Sequence, residues 1–253
     1  MQRSRDFGEV KDRAEAAARR LGTSLREIGN VDGYPILGLS FGAGIPVWID
    51  AGIHGEEPGS VAGILSFLDG PAASFADRMA FDVYPCLNPF GYERHFRLNA
   101  RGDDPNRQLK NPADPLRRVL DREAGEKWYE LSLDLHEDSD FYGAYIYDRL
   151  NDGPSFAPAM RDAMASVGPV AARSETPPTR DGLVRFDDGR RVEDARAEMM
   201  SWEMWPIAGW LFGLHSSRQF TVETPGHQTI GLRAAMQVAA VVTALNMLLG
   251  EQS

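Results

Sequence analysis

Residues 46–68 read PVWIDAGIHGEEPGSVAGILSFL. The stretch opens apolar and β-prone from Pro46 to Ile53 and passes through the polar run His54-Gly55-Glu56-Glu57. It resumes from Pro58 with Val61, Ile64, Leu65 and Leu68 at helical spacing. Proline in a first helical turn removes no intrahelical bond, so Pro58 marks a helix start rather than a break. A strand that runs through a short polar loop into a helix predicts a sheet with helices packed on it. It also puts His54 and Glu57 just past the carboxyl end of a strand, where open α/β sheets gather their ligands.

The same alternation extends in both directions. Asp12–Leu21 is rich in helix formers and stops at Gly22, while Tyr34–Phe41 is β-prone. Gly42-Ala43-Gly44 then separates that run from the strand at Pro46, which predicts a tight reversal between neighbouring strands. Met79–Asn88 reads as a strand, Pro89–Asn111 as a long, Arg-rich functional loop and Asp114–Leu131 as a helix. Leu133 and Leu135 alternate with polar residues up to His136, which predicts a short strand. A strand at Tyr142–Tyr147, a helix at Pro154–Val167, a strand at Phe220–Glu223 and a helix at Ile230–Leu249 complete the pattern. Ala171–Ala197 has the most loop-like composition and reads as a lid or a solvated excursion. The expectation is one domain over residues 1–253, an α/β fold built as a three-layer α/β/α sandwich around a mixed, largely parallel sheet.

Composition narrows the function. Twenty-seven Lys and Arg against 37 Asp and Glu leave a net charge of -10, which repels phosphate backbones and anionic lipid, so neither nucleic acid nor membrane is expected as a partner. Cys86 is the only cysteine, so a metal, if bound, must use His, Asp or Glu. The charged start, Met1–Ala18, lacks the apolar core of a signal peptide. Gln237, Thr243 and Asn246 interrupt the apolar C-terminal stretch, and a cytoplasmic protein is expected.

His54, Glu57, His136 and Glu223 each fall at the end of an apolar strand. His54-x-x-Glu57 is a nitrogen and oxygen ligand pair, and His136 would complete a set of two histidines and a glutamate that leaves one position of a tetrahedral zinc open. Such a site needs a base to move a proton from water to a leaving amine, and Glu223 is the candidate. A lone H-x-x-E also arises by chance, and a buried histidine is commonly just hydrogen-bonded. His95, His215 and His227 have no acidic residue three positions on and read as surface or loop histidines. Gly38-Leu39-Ser40-Phe41-Gly42 matches the G-x-S-x-G of serine hydrolases, but a nucleophile elbow needs a helix next and here glycines and a strand follow.

Longer motifs carry a resemblance. Asn88-Pro89-Phe90-Gly91 and the run from Arg97 to Arg107, RLNARGDDPNR, resemble the N-P-x-G and R-x-N-x-x-G-x-D-x-N-R of the zinc carboxypeptidase family, closest to its bacterial murein peptide amidase branch. His54-Gly55-Glu56-Glu57 resembles that family's H-G-(D/E)-E zinc motif, Leu135-His136-Glu137 its third-ligand strand, and Thr221–Pro225 its catalytic glutamate strand. The resemblance spans roughly residues 46–226. It implies one zinc per chain on His54, Glu57 and His136, with Glu223 as general base and then general acid. It further implies that Arg97 stabilises the oxyanion, Asn106 and Arg107 clamp a terminal carboxylate, and Asp104 orients the His54 imidazole.

Pro105 and Gln108-Leu109 depart from the family pattern, and proline alters the local loop. The family's mobile tyrosine has no aligned counterpart; Tyr142, Tyr145 and Tyr147 read as packing residues, as do Trp202, Trp205 and Trp210. The expected function is a zinc-dependent metallocarboxypeptidase or peptide amidase acting on an amide beside a free carboxylate. One alternative is an N-acyl amino-acid deacylase of the aspartoacylase and succinylglutamate desuccinylase type. Another is a binding module without turnover. The substrate is thus a peptide or acyl-amino acid, and the oligomeric state is open. Glu56, Glu137, Asp138 and Asp140 leave a second metal open as well.

Overall fold

The computed structural model describes residues 5–148, 154–175, 178–180, 182–185 and 192–251. Helix α1 (Phe7–Arg20) is capped by the Asp6 carboxylate, which accepts from the Gly8 amide. Strands β1 (Arg26–Val31) and β2 (Tyr34–Gly42) form an antiparallel hairpin turning at Asp32-Gly33, a sequence favoured in such turns. Strand β3 (Ile45–Ala51) leads to α2 (Pro58–Asp69), followed by β4 (Met79–Tyr84), α3 (Pro89–Arg94), α4 (Pro115–Ala124), β5 (Leu131–Asp138), β6 (Tyr145–Asp148) and α5 (Ala157–Ala165). Three short strands follow: β7 (Arg173–Glu175), β8 (Pro178–Arg180) and β9 (Leu183–Arg185). The chain ends with α6 (Val192–Ser201), α7 (Ile207–Leu214), β10 (Gln219–Pro225) and α8 (Ile230–Glu251).

The strands form one mixed sheet in the order β1-β2-β4-β3-β5-β10-β6-β9-β8-β7. Its centre, β4-β3-β5-β10, is parallel, while most pairs on the two flanks are antiparallel. The central strands are buried on both faces, as parallel strands must be, which is why Val47–Ala51 and Leu131–Leu135 are buried without interruption. Helices α1, α2, α5 and α8 cover one face around Val10, Ile64, Met160 and Leu245. Helices α4 and α7 cover the other face around Trp48, whose ring lies 4.2 Å from Tyr84, 5.4 Å from Tyr129 and 5.6 Å from Trp210. Truncating a fully buried aromatic such as Trp48 to alanine costs about 3–5 kcal/mol. The three-layer α/β/α sandwich expected from the sequence is therefore present. Helix α8 is long and apolar enough to span a bilayer, yet its Ala240, Val241, Ala244 and Leu248 are buried in the protein core.

Three local expectations change. Strands β2 and β3 are not neighbours, because β4 lies between them. The Gly42-Ala43-Gly44 link does not close a hairpin; it pairs with the lead-in to β4, where the Ala43 amide donates to the Ala76 carbonyl and the Ile45 amide to the Arg78 carbonyl. Gly44 is required there, with φ at 116° and the Arg78 carbonyl oxygen only 2.2 Å from where a Cβ would stand. The helix expected over 114–131 stops at Ala124, where Gly125 takes a positive φ. The irregular span 89–111 holds α3 and a 3₁₀ turn at Pro105–Arg107. Within Ala171–Ala197, read as a lid or a solvated excursion, residues 176–177, 181 and 186–191 lie outside the described residues.

Candidate active site

The parallel centre of the sheet aligns its carboxyl ends along one edge, and the polar residues that follow meet there. His54 and Glu57 leave β3 on the loop before α2. The loop rests against the start of α3, so that a Cβ on Gly55 would stand 2.0 Å from the Gly91 carbonyl carbon. His136 sits near the end of β5, and β10 places Glu223 in register beside it. On the far side of β10, β6 places Tyr145 opposite Glu223. One row across three strands therefore reads His136, Glu223, Tyr145, and the row below reads Asp50, Asp134, Thr221, Tyr147. These side chains, apart from Asp50, line a cleft of about 870 Å³ together with Arg97, Asn106, Arg107 and Glu203.

The three expected ligands converge. His54 Nδ1 lies 2.6 Å from Glu57 Oε1, and His136 Nδ1 lies 2.9 Å from Glu57 Oε2. One donor atom from each residue falls within 4.8 Å of the others, and all three residues are buried. Burial alone would raise the Glu57 carboxyl, but the two imidazoles outweigh it and lower its pKa to about 2. The carboxylates of Asp134 and Glu57 in turn hold His136 well above its ordinary value against the opposing effect of burial. Two Nδ1 atoms and a carboxylate aimed at one point form a donor set suited to a divalent cation such as zinc. Among the described residues this is the one group with that arrangement.

Each imidazole is held from behind by a carboxylate. His54 Nε2 lies 3.2 Å from Asp104, and His136 Nε2 lies 3.0 Å from Asp134. Arg97 donates through Nε to Asp104 at 3.1 Å and reaches Glu56 at 3.4 Å, so the guanidinium stands beside the ligand cluster. Burial works to raise the Asp104 carboxyl; the His54 contact and Arg97 overcome it and hold the carboxyl well below the usual range. Glu223 is shifted the other way. Burial pushes it up to about 8, helped by the nearby Glu57, Asp138 and Asp134 charges and only partly offset by His136.

The expected carboxylate clamp divides. Arg107 is exposed on the cleft wall, with one guanidinium N–H donating to the Asn106 carbonyl. Asn106 is buried, and its side-chain oxygen accepts from the Ile207 amide at 2.7 Å, which ties the clamp loop to the first turn of α7. Tyr145 packs with Ala171 and Val184, with Tyr147 against them, as read from the sequence, and both tyrosines also line the cleft; the Tyr145 hydroxyl donates to Asp138 at 2.6 Å. Trp205 and Trp210 are core residues as expected. Of the carboxylates that left a second metal open, Glu137 is committed elsewhere: it accepts from Arg233 at 2.6 Å and from the Gly59 amide at 2.9 Å, beneath the start of α2. Ser40 lies within β2 and donates to Asp82, which leaves no nucleophile elbow.

Sequence reasoning missed Asp134, Arg233 and Gln237. Gln237 donates to the His136 carbonyl at 2.7 Å. The available signal was the polar pair Arg233 and Gln237, four residues apart on one face of an otherwise apolar helix.

No protein-family model and no curated protein matches the chain. Solved structures do. A protein of Shewanella amazonensis assigned provisionally as a metallopeptidase superposes with a TM-score of 0.78 at 26% identity, over 96% of this chain and 93% of that one. A metallo-carboxypeptidase from Burkholderia cenocepacia gives a TM-score of 0.67 at 19% identity, over 94% of this chain and 69% of that one. A metallo-carboxypeptidase from Pseudomonas aeruginosa, solved with (2-guanidinoethylmercapto)succinic acid, gives 0.67 at 17% identity, over 96% of this chain and 68% of that one. These neighbours and the buried His54, Glu57 and His136 cluster support a metal-dependent hydrolase. The chain thus has the fold of these metallopeptidase and metallo-carboxypeptidase structures.

Proposed function

We propose that the protein is a zinc-dependent hydrolase that cuts an amide beside a free carboxylate, as a carboxypeptidase or peptide amidase. The observation that carries this reading is the convergence of His54 Nδ1, His136 Nδ1 and Glu57 at the floor of the cleft, with Glu223 in register beside His136. Those three residues would hold the ion. When bound it supplies Lewis acidity toward a substrate carbonyl and makes water a better acid.

The chain's own groups supply the rest. Glu223 accepts a proton from water and returns it to the departing amine, a role suited to a carboxyl whose pKa burial has raised toward neutrality. Arg97, held by Asp104, aims fixed N–H donors at the oxygen on which charge develops. Arg107 faces the cleft as the group that receives the substrate carboxylate, where a planar guanidinium binds in a fork. Buried Asn106 sets the position of Arg107 and of the Trp202–Pro206 wall rather than gripping substrate with both ends of its amide.

The test is hydrolysis of matched peptides with free and amidated C-termini, with N-acyl amino acids alongside. The expected result is a preference for the free carboxylate that falls about tenfold or more in Arg107→Ala, since a charge-assisted pair is worth roughly 1.5–3 kcal/mol. Equal losses on both peptide forms would remove Arg107 from that role. Turnover confined to acyl-amino acids would move the protein to the deacylases.

A further inference from the structure

Glu57 stands immediately before α2, the position whose side chain ordinarily accepts from a backbone amide two or three residues on. Its carboxylate makes no such bond, because its two oxygens face His54 and His136. Pro58 has no amide hydrogen, so Gly59 carries the first backbone donor of the helix, and Gly59 is buried. A buried amide left without an acceptor is costly. The acceptor comes from another strand: the Gly59 amide donates to Glu137 Oε2 at 2.9 Å.

Glu137 follows His136 on β5 and is 7% exposed. Its Oε1 accepts from Arg233 of α8 at 2.6 Å, so a cation balances the buried carboxylate. Its own backbone amide donates to Glu57 Oε2 at 3.1 Å. Gly59 makes the approach possible, since a Cβ there would collide with the Glu137 carboxylate. One residue therefore fills the cap that Glu57 leaves open and also holds the Glu57 oxygen that faces His136.

We propose that Glu137 is a positioning residue: by capping α2 in place of Glu57 it keeps the Glu57 carboxylate turned to the metal position, and Arg233 fixes Glu137 in that role. Without this cap, Glu57 is the side chain placed by its position in the chain to satisfy the Gly59 amide, and doing so draws its carboxylate away from the two imidazoles. The proposal rests on the metal-site reading above.

Removing Glu137 alone would leave Arg233 buried without its carboxylate. The variants therefore remove both charges together, a change that proteins often tolerate where apolar groups fill the space. Glu137→Gln with Arg233→Leu keeps an oxygen for the Gly59 amide, whereas Glu137→Leu with Arg233→Leu does not. The readouts on the full chain are the zinc dissociation constant and the visible spectrum after loading with cobalt, which reports the ligands around the ion. The first pair should hold zinc as the wild type does and give the wild-type cobalt spectrum. The second should hold zinc about 10–100-fold more weakly, the usual range for lost support behind a ligand, and shift the spectrum. Equal weakening in both pairs would mean that the ion pair rather than the cap matters, and would overturn the proposal. A second pair that loses melting temperature but keeps wild-type affinity and spectrum would overturn it too, leaving Glu137 a purely structural role. If the second pair does not fold, Glu137→Asp decides, since it keeps the charge near Arg233 but is one methylene shorter on the side of Gly59: weaker zinc binding is expected, and wild-type affinity overturns the proposal. A wild-type chain that takes no zinc fails the metal-site reading and the proposal with it, whereas unchanged affinity in variants of a zinc-binding chain fails the proposal alone.

Discussion

The two imidazoles that converge on Glu57 are supported by different kinds of structure. His54 is backed by Asp104, whose side chain is 20% exposed on the Arg-rich loop and shared with Arg97. His136 is backed by Asp134, 1% exposed in the middle of the sheet and in register with buried Asp50. The loop half is partly solvated and holds the groups that would meet substrate. The sheet half is dry and holds groups whose rotamers the packing fixes. A strand-borne support gives precision at the cost of buried polar atoms that must all be satisfied, while a loop-borne one tolerates water and can adjust.

The largest effect belongs to the sheet half. Glu223→Gln is expected to lower hydrolysis by about 10²–10⁴-fold while leaving zinc bound, since the amide keeps the shape of the carboxyl and cannot take a proton. Turnover near the wild-type rate would remove Glu223 as the base. The comparison itself is sharpened by Asp134→Ala against Asp104→Ala. Both should weaken zinc binding by about 10–100-fold. Only Asp134→Ala should also lower the melting temperature of the metal-free protein markedly, because it leaves the buried His136 Nε2 without its carboxylate partner, whereas Asp104→Ala should act mainly on turnover by freeing Arg97. Equal losses of melting temperature would erase the distinction between the halves.

The smallest effect concerns pH. Glu223 has its folded pKa raised to about 8, above the unfolded carboxylate value, so the fold favours its protonated form. Ionising it therefore draws stability down as pH rises from the ordinary carboxylate range toward that value. Glu223→Gln, which cannot ionise, should raise the melting temperature of the metal-free protein by roughly 2–4 °C at about pH 8 and leave it unchanged at about pH 4. A gain that is the same at both pH values would assign the effect to packing rather than to charge.

What could be read from the sequence follows the same division. The strand, loop and helix of 46–68 were legible because a switch from apolar run to helical spacing brackets the polar residues. The alternation of elements led to the three-layer architecture for the same reason. Strand order was not legible: apolar patterns say that β2 and β3 exist, but only the bonds from Ala43 and Ile45 to residues 76 and 78 show that β4 enters between them. β1 was overlooked although Asp32-Gly33 signals a hairpin, because Arg26–Val31 alternates only weakly. In the site, residues that touch one another through neighbouring sequence, such as His54 and Glu57, could be paired in advance. Asp134, Arg233 and Gln237 could not, since their partners come from other strands or from a helix and a polar residue in an apolar run names no partner. Tyr145 and Tyr147 pack as read, but that they also border the cleft was not legible, because the antiparallel return of β6 beside β10 has no local signature.

The most direct test of the central claim is metal content by plasma mass spectrometry on the purified full chain after zinc loading and exhaustive dialysis, with His136→Ala measured alongside. About one zinc per chain, lost in the variant, is the predicted result. A wild-type chain that retains no zinc, or a variant that keeps it, would contradict the account.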